Sequence, residues 1–211
     1  DQRLVTYFSQ VNALAALLGH EHSVRVIAVE GDSTDATRRG LRNDWGVPVQ
    51  CIEHDHGKRV WGSTVDPERF TALSGVANHI FASVRDEDDV LVYVESDLLW
   101  EPVTMLSLMA ASGVAADVVA PMVFAGEAFY DIWAFRKDGE AFTPFPPYHP
   151  GLHAAGVTKV DSVGSCLVMG AHVARLTPPM THGALVEWCG NARRTGFSIG
   201  VAPQLRIEHP A

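Results

Sequence analysis

The stretch Val90-Leu91-Val92-Tyr93-Val94-Glu95-Ser96-Asp97-Leu98-Leu99-Trp100 is a run of β-branched and apolar residues that ends in two carboxylates one residue apart. The apolar run predicts a strand buried on both faces, as in the parallel sheets of α/β proteins. Ligands of such sheets bind just beyond the carboxyl ends of the strands, where Glu95 and Asp97 lie. Side chains two apart on a strand point the same way, so both carboxylates favour a hard cation such as Mg²⁺ or Mn²⁺. The alternative is that Asp97 caps a helix that starts near Pro102.

Helical and strand-like segments alternate through the first half of the chain. Helices are predicted by apolar periodicity and capping residues, and strands by short β-branched runs. This alternation predicts an α/β fold with an open, mostly parallel sheet, right-handed crossovers and flanking helices, in a single domain of 211 residues. The predicted helices are 2–18, 67–84 and 102–111, and the predicted strands are 24–29, 47–52, 90–95 and 117–120. In the second half, 129–135, 160–170, 197–202 and 204–207 are predicted to be extended and 183–195 helical.

Charge and composition exclude several classes of function. A net charge of −9 argues against a general nucleic-acid binder and disfavours a nucleic-acid acceptor, because such proteins need a basic surface. The three cysteines lack CxxC spacing, which argues against a zinc site or a disulfide framework. Free thiols indicate a reducing, cytoplasmic environment, and no apolar run reaches membrane-spanning length. We therefore expect a cytoplasmic enzyme or binding protein without a membrane segment.

Two polar segments follow the first two predicted strands. The turn Glu30-Gly31-Asp32-Ser33-Thr34-Asp35 either caps a helix that runs to about Leu41 or binds a nucleoside. The segment His54-Asp55-His56 has residue types that hold metals. A solvated loop is the favoured interpretation there, because alternating side chains in a loop rarely converge.

Aromatic residues cluster in the second half, where 121–160 is rich in Pro, Phe and Tyr. Tyr130-Asp131-Ile132-Trp133 places aromatic rings beside a carboxylate, a combination that holds sugar rings, although single aromatics more often belong to the core. Gly164-Ser165 interrupts a strand-like segment, and a glycine there lets a ligand or a backbone approach closely.

Four segments, in order, resemble motifs of the GT-A class of nucleotide-sugar glycosyltransferases. Val29–Asp35 resembles the "DDGSTD"-type turn, and Glu95-Ser96-Asp97 resembles the DxD metal motif, here as ExD. Gly164–Met169 resembles the acceptor-side strand. Glu187–Phe197 resembles the "ED…R…G-[YF]" helix, which is followed at a matching distance by His209. The resemblance covers roughly residues 24–209.

Within this class the chain looks like family 2-like enzymes and, most closely, fungal mannan-polymerase-type mannosyltransferases. That finer resemblance rests on Tyr130–Trp133 and on Glu187 without a following acid. The first strand of the GT-A fold is missing from the given chain, and Trp188 stands where inverting members carry the catalytic Asp. A base at 188 is therefore excluded, which leaves Glu187 or Asp161 as the base, or a retaining reaction that needs none.

The resemblance implies a metal-dependent transfer of a sugar from a UDP- or GDP-sugar to a hydroxyl of a glycan or small molecule. Residues 1–120 would form the donor half and 121–211 the acceptor half. A nucleotidyltransferase that makes nucleotide-sugars and a non-catalytic nucleotide-sugar-binding domain stay open as alternatives. The implied Mn²⁺ or Mg²⁺ ligands are Asp97, His209 and Glu95; the nucleotide contacts are Glu30, Asp32, Arg69, Glu95 and Asn78; the acceptor contacts are Asp131, Trp133, Tyr130 and Trp188; and the catalytic candidates are Glu187 and Asp161.

Overall fold

The structure is a computed structural model that describes residues 2–57, 61, 63 and 66–210. Its helices are α1 (Gln2–Leu18), α2 (Thr37–Gly40), α3 (Pro67–Ala82), α4 (Pro102–Ala111), α5 (Ala171–Leu176) and α6 (Ala184–Thr195). Its strands are β1 (Val26–Glu30), β2 (Val49–Glu53), β3 (Val90–Val94), β4 (Val118–Ala125), β5 (Ala128–Phe129), β6 (Arg136–Lys137), β7 (Glu140–Ala141), β8 (Thr158–Val160), β9 (Cys166–Gly170) and β10 (Ile199–Glu208).

The predicted α/β fold with an open sheet flanked by helices is confirmed, but the central sheet is mixed rather than mostly parallel, because β4–β10 is the one parallel pair among its described strands. The sheet has the strand order β3-β9-β4-β10-β8, with β5 paired to the end of β4, while β1 and β2 form a separate parallel pair. β4 and β10 are parallel neighbours, whereas β9 is antiparallel to both β3 and β4. The chain therefore departs from simple alternation because β9, from the second half, inserts between two strands of the first half.

Helices cover both faces of this sheet and bury it. Alternate residues of β4 serve two separate cores: Val119 and Val123 pack with α1 and α4, whereas Ala120 and Met122 pack with α3, α5 and α6. This double burial explains why β4 is a continuous apolar run rather than an alternating one. No helix among the described residues is long and apolar enough to cross a membrane.

Local chemistry fixes the helix ends that flank the site. Asp66 caps α3 by accepting the Glu68 N–H at 2.9 Å, and Gly196 ends α6 with φ +105°. The helix predicted to run to Leu41 is only the short α2. Its N-cap residue is Ala36, which makes no side-chain cap, so the segment 31–36 stays an irregular turn.

Residues 129–135 are not the predicted strand. Only Ala128–Phe129 is extended, and the N–H groups of Ala134 and Phe135 both bond the Asp131 carbonyl at 3.2 Å. A turn therefore replaces the strand, because its backbone bonds close locally rather than onto a neighbouring strand. This turn directs Asp131 inward and leaves Trp133 at the surface, 58% exposed.

Candidate functional site

Asp97 lies on a tight turn directly after β3, at the carboxyl end of the strand. The Leu98 N–H bonds the Glu95 carbonyl at 3.2 Å, which closes the turn, and the Glu95 N–H bonds the Ser165 carbonyl at 2.9 Å. Asp97 does not cap α4, whose N-cap residue is Glu101. The side chain of Asp97 is instead directed at His209, with 3.4 Å between Oδ2 and Nε2.

The end of β10 brings His209 to this turn from the other end of the sequence. Leu99 and Glu208 exchange two backbone hydrogen bonds, of 2.8 and 2.9 Å, and the His209 N–H donates to the Phe124 carbonyl at 2.7 Å. Tyr130 stacks on the imidazole, with ring centroids 4.0 Å apart and planes 17° apart. The pairing of Leu99 with Glu208 and the stacking on Tyr130 thus hold His209 beside Asp97. The family resemblance implies these two residues as metal ligands.

Two further carboxyl groups, the buried Asp131 and the partly buried Glu95, lie close to this pair. Burial, together with the neighbouring Asp131 and Asp97, raises the pKa of Glu95 to about 7. Burial also raises the pKa of Asp131 to about 6, although the Ser165 hydroxyl and the charge of His209 oppose the shift. The Oδ2 atom of Asp131 is buried without a hydrogen-bond partner. Glu95 and Asp131 thus hold protons more readily than exposed carboxyl groups do.

The Gly164-Ser165 break makes room for these carboxyl groups. A Cβ atom at position 164 would stand 3.1 Å from Asp131 Oδ2 and 2.4 Å from the Cβ of Ala134. Ser165 has a positive φ of +58°, and its hydroxyl lowers the pKa of both Glu95 and Asp131. The glycine thus permits a close approach, and the groups that approach are the methyl group of Ala134 and, slightly farther away, the carboxylate of Asp131.

Arg69, in the first turn of α3, supplies positive charge to the cluster. Its guanidinium lowers the pKa of Glu95 against the effect of burial. It also opposes the rise in the pKa of Tyr130 that burial and the carboxylates produce. The contact of Arg69 with a diphosphate stays a prediction.

Asp97 and His209 fit a divalent cation, and Glu95 does not join them. A carboxylate oxygen and an imidazole nitrogen suit Mn²⁺ better than Mg²⁺. The part of the chain that the structure describes contains no group of three or more His, Cys, Asp or Glu arranged to hold a metal ion. Asp97 and His209 are therefore candidates for two protein ligands, and a bound diphosphate would have to supply further oxygens.

A cleft of about 290 Å³ opens beside Asp97. Its lining comes from the turn that carries Asp97, from the first two turns of α1 and from Pro210. The sequence pattern identified α1 only as an amphipathic helix, so this contribution was not predicted. The residues that line the cleft are Gln2, Arg3, Thr6, Tyr7, Ser96, Asp97, Leu98, Leu99 and Pro210.

The turn after β1 is organised around Arg38. Glu30 is buried and accepts hydrogen bonds from the Ser33 N–H and from Arg38 Nε. Burial alone would raise the pKa of Glu30, but these bonds and the Arg38 charge bring it below its ordinary value. A direct contact between Glu30 and a nucleoside does not fit this burial, so that prediction is corrected. Asp32, which accepts the His56 N–H, stays a candidate.

The histidines after β2 converge, contrary to the expectation of a simple solvated loop. The rings of His54 and His56 lie 4.8 Å apart edge to face, and His54 Nδ1 is 3.1 Å from Nε2 of His79. His79 comes from α3, and its part in the cluster was not predicted. Burial and the two neighbouring imidazoles lower the pKa of His54, which favours its neutral form.

Neither residue predicted as a general base is free to act as one. Glu187 accepts hydrogen bonds from the N–H groups of Thr181, His182 and Gly183, at 2.7–2.9 Å, and from the Thr181 hydroxyl at 2.9 Å. Burial opposes the effect, but these bonds lower the pKa of Glu187 to about 2, so it is a weak base. Its observed role is to hold the loop before α6.

Asp161 belongs to the far end of the sheet. It pairs with Arg193 at 3.0 Å and accepts the Gly139 N–H at 2.8 Å. The preceding Val160 pairs with Ile199 at the first residue of β10, whereas His209 follows the last residue of that strand. The prediction that Asp161 is catalytic therefore does not fit its position.

Two further predicted contacts have structural roles. Trp188 is fully buried and stacks on Phe81, with centroids 4.8 Å apart and planes 18° apart, so it cannot contact an acceptor. Asn78 exchanges two hydrogen bonds with the backbone of Met180, at 2.7 and 3.1 Å, and so braces the loop before α6 rather than a nucleotide. Both side chains lie on helix faces that pack inward, which the residue types alone did not reveal.

Tyr130 and Trp133, which were predicted to contact an acceptor, are both exposed, at 44% and 58%, and the contact itself stays a prediction. Trp133 stands free on the turn that follows Asp131, whereas Tyr130 covers His209. Phe145, 57% exposed on the loop after β7, is a third such aromatic that was not singled out from the sequence.

No protein-family model matches the sequence, and no curated protein matches it. The fold is similar to solved structures. The crystal structure of GalNAc-T7 with UDP, GalNAc and Mn²⁺ superposes with a TM-score of 0.61 at 11% identity, over 98% of this chain and 40% of that chain. The crystal structure of A197 from STIV superposes with a TM-score of 0.51 at 8% identity, over 89% of this chain and 85% of that one. The chain thus has a GT-A-like fold and spans about two fifths of the length of GalNAc-T7.

Proposed function

We propose that the protein is a metal-dependent glycosyltransferase that moves a sugar from a nucleotide-sugar to an acceptor hydroxyl. The observation that carries this proposal is the pairing of Asp97 with His209, 3.4 Å apart, at the carboxyl end of β3 in a GT-A-like fold. The similarity to GalNAc-T7, whose structure contains UDP, GalNAc and Mn²⁺, supports it. The donor base, UDP or GDP, and the sugar stay open.

Asp97 and His209 would hold Mn²⁺ or Mg²⁺. When bound, the cation would neutralise the negative charge that develops on the departing nucleoside diphosphate. Tyr130 would keep the imidazole of His209 in place by stacking, so that less ordering is needed when the donor arrives. Arg69 would add positive charge on the side of Glu95 and would bind phosphate oxygens through its planar guanidinium.

The cleft between α1 and the Asp97 turn is the proposed place for the donor diphosphate. Asp97, Ser96 and the first two turns of α1 line this cleft, so a group bound there would lie next to Asp97. Asp32 would contact the base or ribose from the turn after β1.

The acceptor would bind on the side of Asp131 and Trp133. Trp133 is 58% exposed, so its face is available for the apolar face of a sugar ring. Asp131 would accept a sugar hydroxyl only after a movement of its surroundings, because it is 8% exposed. A glycan or a small hydroxylated molecule fits this surface, and the net charge of −9 disfavours nucleic acid.

The positions of Glu187 and Asp161 support a reaction that does not use either of them as a base. Both carboxylates are engaged in structural bonds, and Asp161 lies at the far end of the sheet. A transfer that retains the anomeric configuration needs no such base. The same observation favours one alternative, a nucleotide-sugar-binding domain without turnover.

Turnover separates these two proposals. The purified protein would be incubated with UDP- and GDP-sugars and Mn²⁺, with and without simple sugars as acceptors, and the released nucleoside diphosphate measured. The transferase proposal predicts release from one donor, its loss in Asp97→Asn, and its retention in Asp86→Asn, a fully exposed control. Binding of a donor without any release would favour the non-catalytic alternative.

A further inference from the structure

Gln10 of α1 makes paired hydrogen bonds with the segment that follows Asp97. Its Nε2 donates to the Leu98 carbonyl at 3.2 Å, and its Oε1 accepts the Trp100 N–H at 2.8 Å. The side-chain amide thus contacts the backbone on both sides of Leu99, as a neighbouring strand would. Gln10 lies three and seven residues after Tyr7 and Arg3, on the helix face that also lines the cleft beside Asp97.

The same short segment is held on its other side by β10. Leu99 exchanges backbone hydrogen bonds of 2.8 and 2.9 Å with Glu208, the residue before His209. Leu98 is 1% exposed and Trp100 is 6% exposed, so their backbone groups have little access to water. Such groups need protein partners, and Gln10 supplies one for each.

The position of Asp97 therefore depends on two sets of hydrogen bonds around Leu99. The backbone pair with Glu208 fixes the segment relative to His209, and the amide of Gln10 fixes it relative to α1. Without Gln10, the segment keeps its partner on one side only, and the turn 95–98 gains freedom at its carboxyl end.

We propose that Gln10 is a positioning residue for Asp97, which sets the orientation of this carboxylate toward the cation and the donor diphosphate without touching either. The inference rests on the proposed function. It also assigns to α1 a role in the donor site beyond lining the cleft. The removal of a residue that holds a metal ligand in place typically changes metal affinity by about 10–100-fold.

Asn12 offers a matched control on the same helix. Its Nδ2 donates to the Trp45 carbonyl at 2.9 Å, so it also ties α1 to a backbone carbonyl, but at a place remote in the chain from the Asp97 turn. Gln10→Met and Asn12→Leu each keep the approximate volume and remove the hydrogen bonds. If Gln10 only stabilised the fold, the two variants would differ in stability alone.

The test is calorimetric titration of the wild type, Gln10→Met, Asn12→Leu and Gln10→Glu with UDP and with GDP, each with and without Mn²⁺, at a temperature where urea unfolding shows all four to be folded. Gln10→Met should weaken the Mn²⁺-dependent affinity about tenfold or more, and no binding is expected without Mn²⁺ in either this variant or the wild type. Asn12→Leu should stay within about twofold of the wild type. Gln10→Glu, which keeps an acceptor for the Trp100 N–H but sets a carboxylate against the Leu98 carbonyl, should be intermediate.

Two results would overturn the inference while the proposed function stands. One is wild-type affinity in folded Gln10→Met, and the other is an equal loss in Asn12→Leu. A wild type that shows no Mn²⁺-dependent binding of either nucleotide would instead overturn the proposed donor site, and the role of Gln10 with it.

Discussion

Tyr130 lies flat against His209, with ring centroids 4.0 Å apart, while Nε2 of the same imidazole lies 3.4 Å from Oδ2 of Asp97. The aromatic side chain thus covers one face of the histidine and leaves its edge directed at the carboxylate. Tyr130 was expected to contact an acceptor, and its observed partner is a proposed metal ligand.

This stacking predicts a difference between two substitutions of Tyr130. Tyr130→Phe keeps the ring and should leave Mn²⁺ affinity within about twofold of the wild type. Tyr130→Ala frees the imidazole and should weaken Mn²⁺ binding about tenfold, which is the lower end of the effect of removing a group that orients a metal ligand. Mn²⁺ titration followed by electron paramagnetic resonance would measure both. Equal affinities in Tyr130→Ala and Tyr130→Phe would contradict the positioning role.

Glu187 is predicted to stabilise the fold rather than to act as a base. Glu187→Gln loses charge-assisted bonds to the loop before α6 and should lower the free energy of unfolding at pH 7 by about 1–3 kcal/mol, as measured in urea. The pKa of Glu187 is lowered in the folded protein from 4.5 to about 2. Its stabilisation is therefore complete above about pH 4.5 and is lost as the pH falls towards 2.

The pH dependence distinguishes the two roles of Glu187. Between pH 7 and pH 3 the stability difference between the wild type and Glu187→Gln should shrink. If the protein turns over a donor, the pH dependence of the rate near neutrality should be the same in the wild type and in Glu187→Gln. A variant with wild-type stability and no turnover would instead identify Glu187 as catalytic.

Glu95 and Asp131 should make the metal-free protein less stable as the pH rises through the weakly acidic range. Their pKa values are raised in the folded protein to about 7 and about 6, from ordinary values of 4.5 and 3.8. The folded state keeps protons that the unfolded chain has released, so these groups favour folding at low pH and lose that contribution as the pH approaches 7. Asp131→Asn cannot ionise, and urea unfolding in a chelator at pH 5 and pH 8 should show a smaller loss than in the wild type. A larger loss of unfolding free energy between pH 5 and pH 8 in Asp131→Asn than in the wild type would contradict this prediction.

Trp188 should behave as a core residue. Trp188→Ala should cost about 3–5 kcal/mol of stability, because it removes a fully buried ring that stacks on Phe81. Trp188→Phe should retain most of the stability and leave the acceptor preference unchanged. A changed acceptor preference in a stable Trp188→Phe protein would restore the original prediction of an acceptor contact.

The sequence predicted those elements whose signals are local. α1, α3, α4 and α6 have apolar periodicity, and α3 and α6 have clear end residues, so all four were found near their true bounds. The insertion of β9 between β3 and β4 could not be predicted, because an apolar strand does not specify its neighbours. Residues 129–135 were predicted as a strand from their aromatic content, but the bonds to the Asp131 carbonyl make a turn.

The site residues were likewise predicted where a local motif marked them and missed where distant partners decide their role. The motif order paired Asp97 with His209, which the structure brings together. Glu187 and Asp161 were singled out because carboxylates commonly act as bases. Backbone N–H groups bond to both residues, and Arg193 pairs with Asp161. Gln10 carried no signal, since its two backbone partners lie close only in the folded chain.

The most direct test of the donor site is calorimetric titration of the wild type and Asp97→Asn with UDP and GDP, with and without Mn²⁺. The account predicts that one nucleotide binds the wild type only when Mn²⁺ is present, and that Asp97→Asn does not bind it under the same conditions. Absence of binding in the wild type under every metal condition, or equal binding by Asp97→Asn, would contradict the assignment of this turn as the metal and donor site.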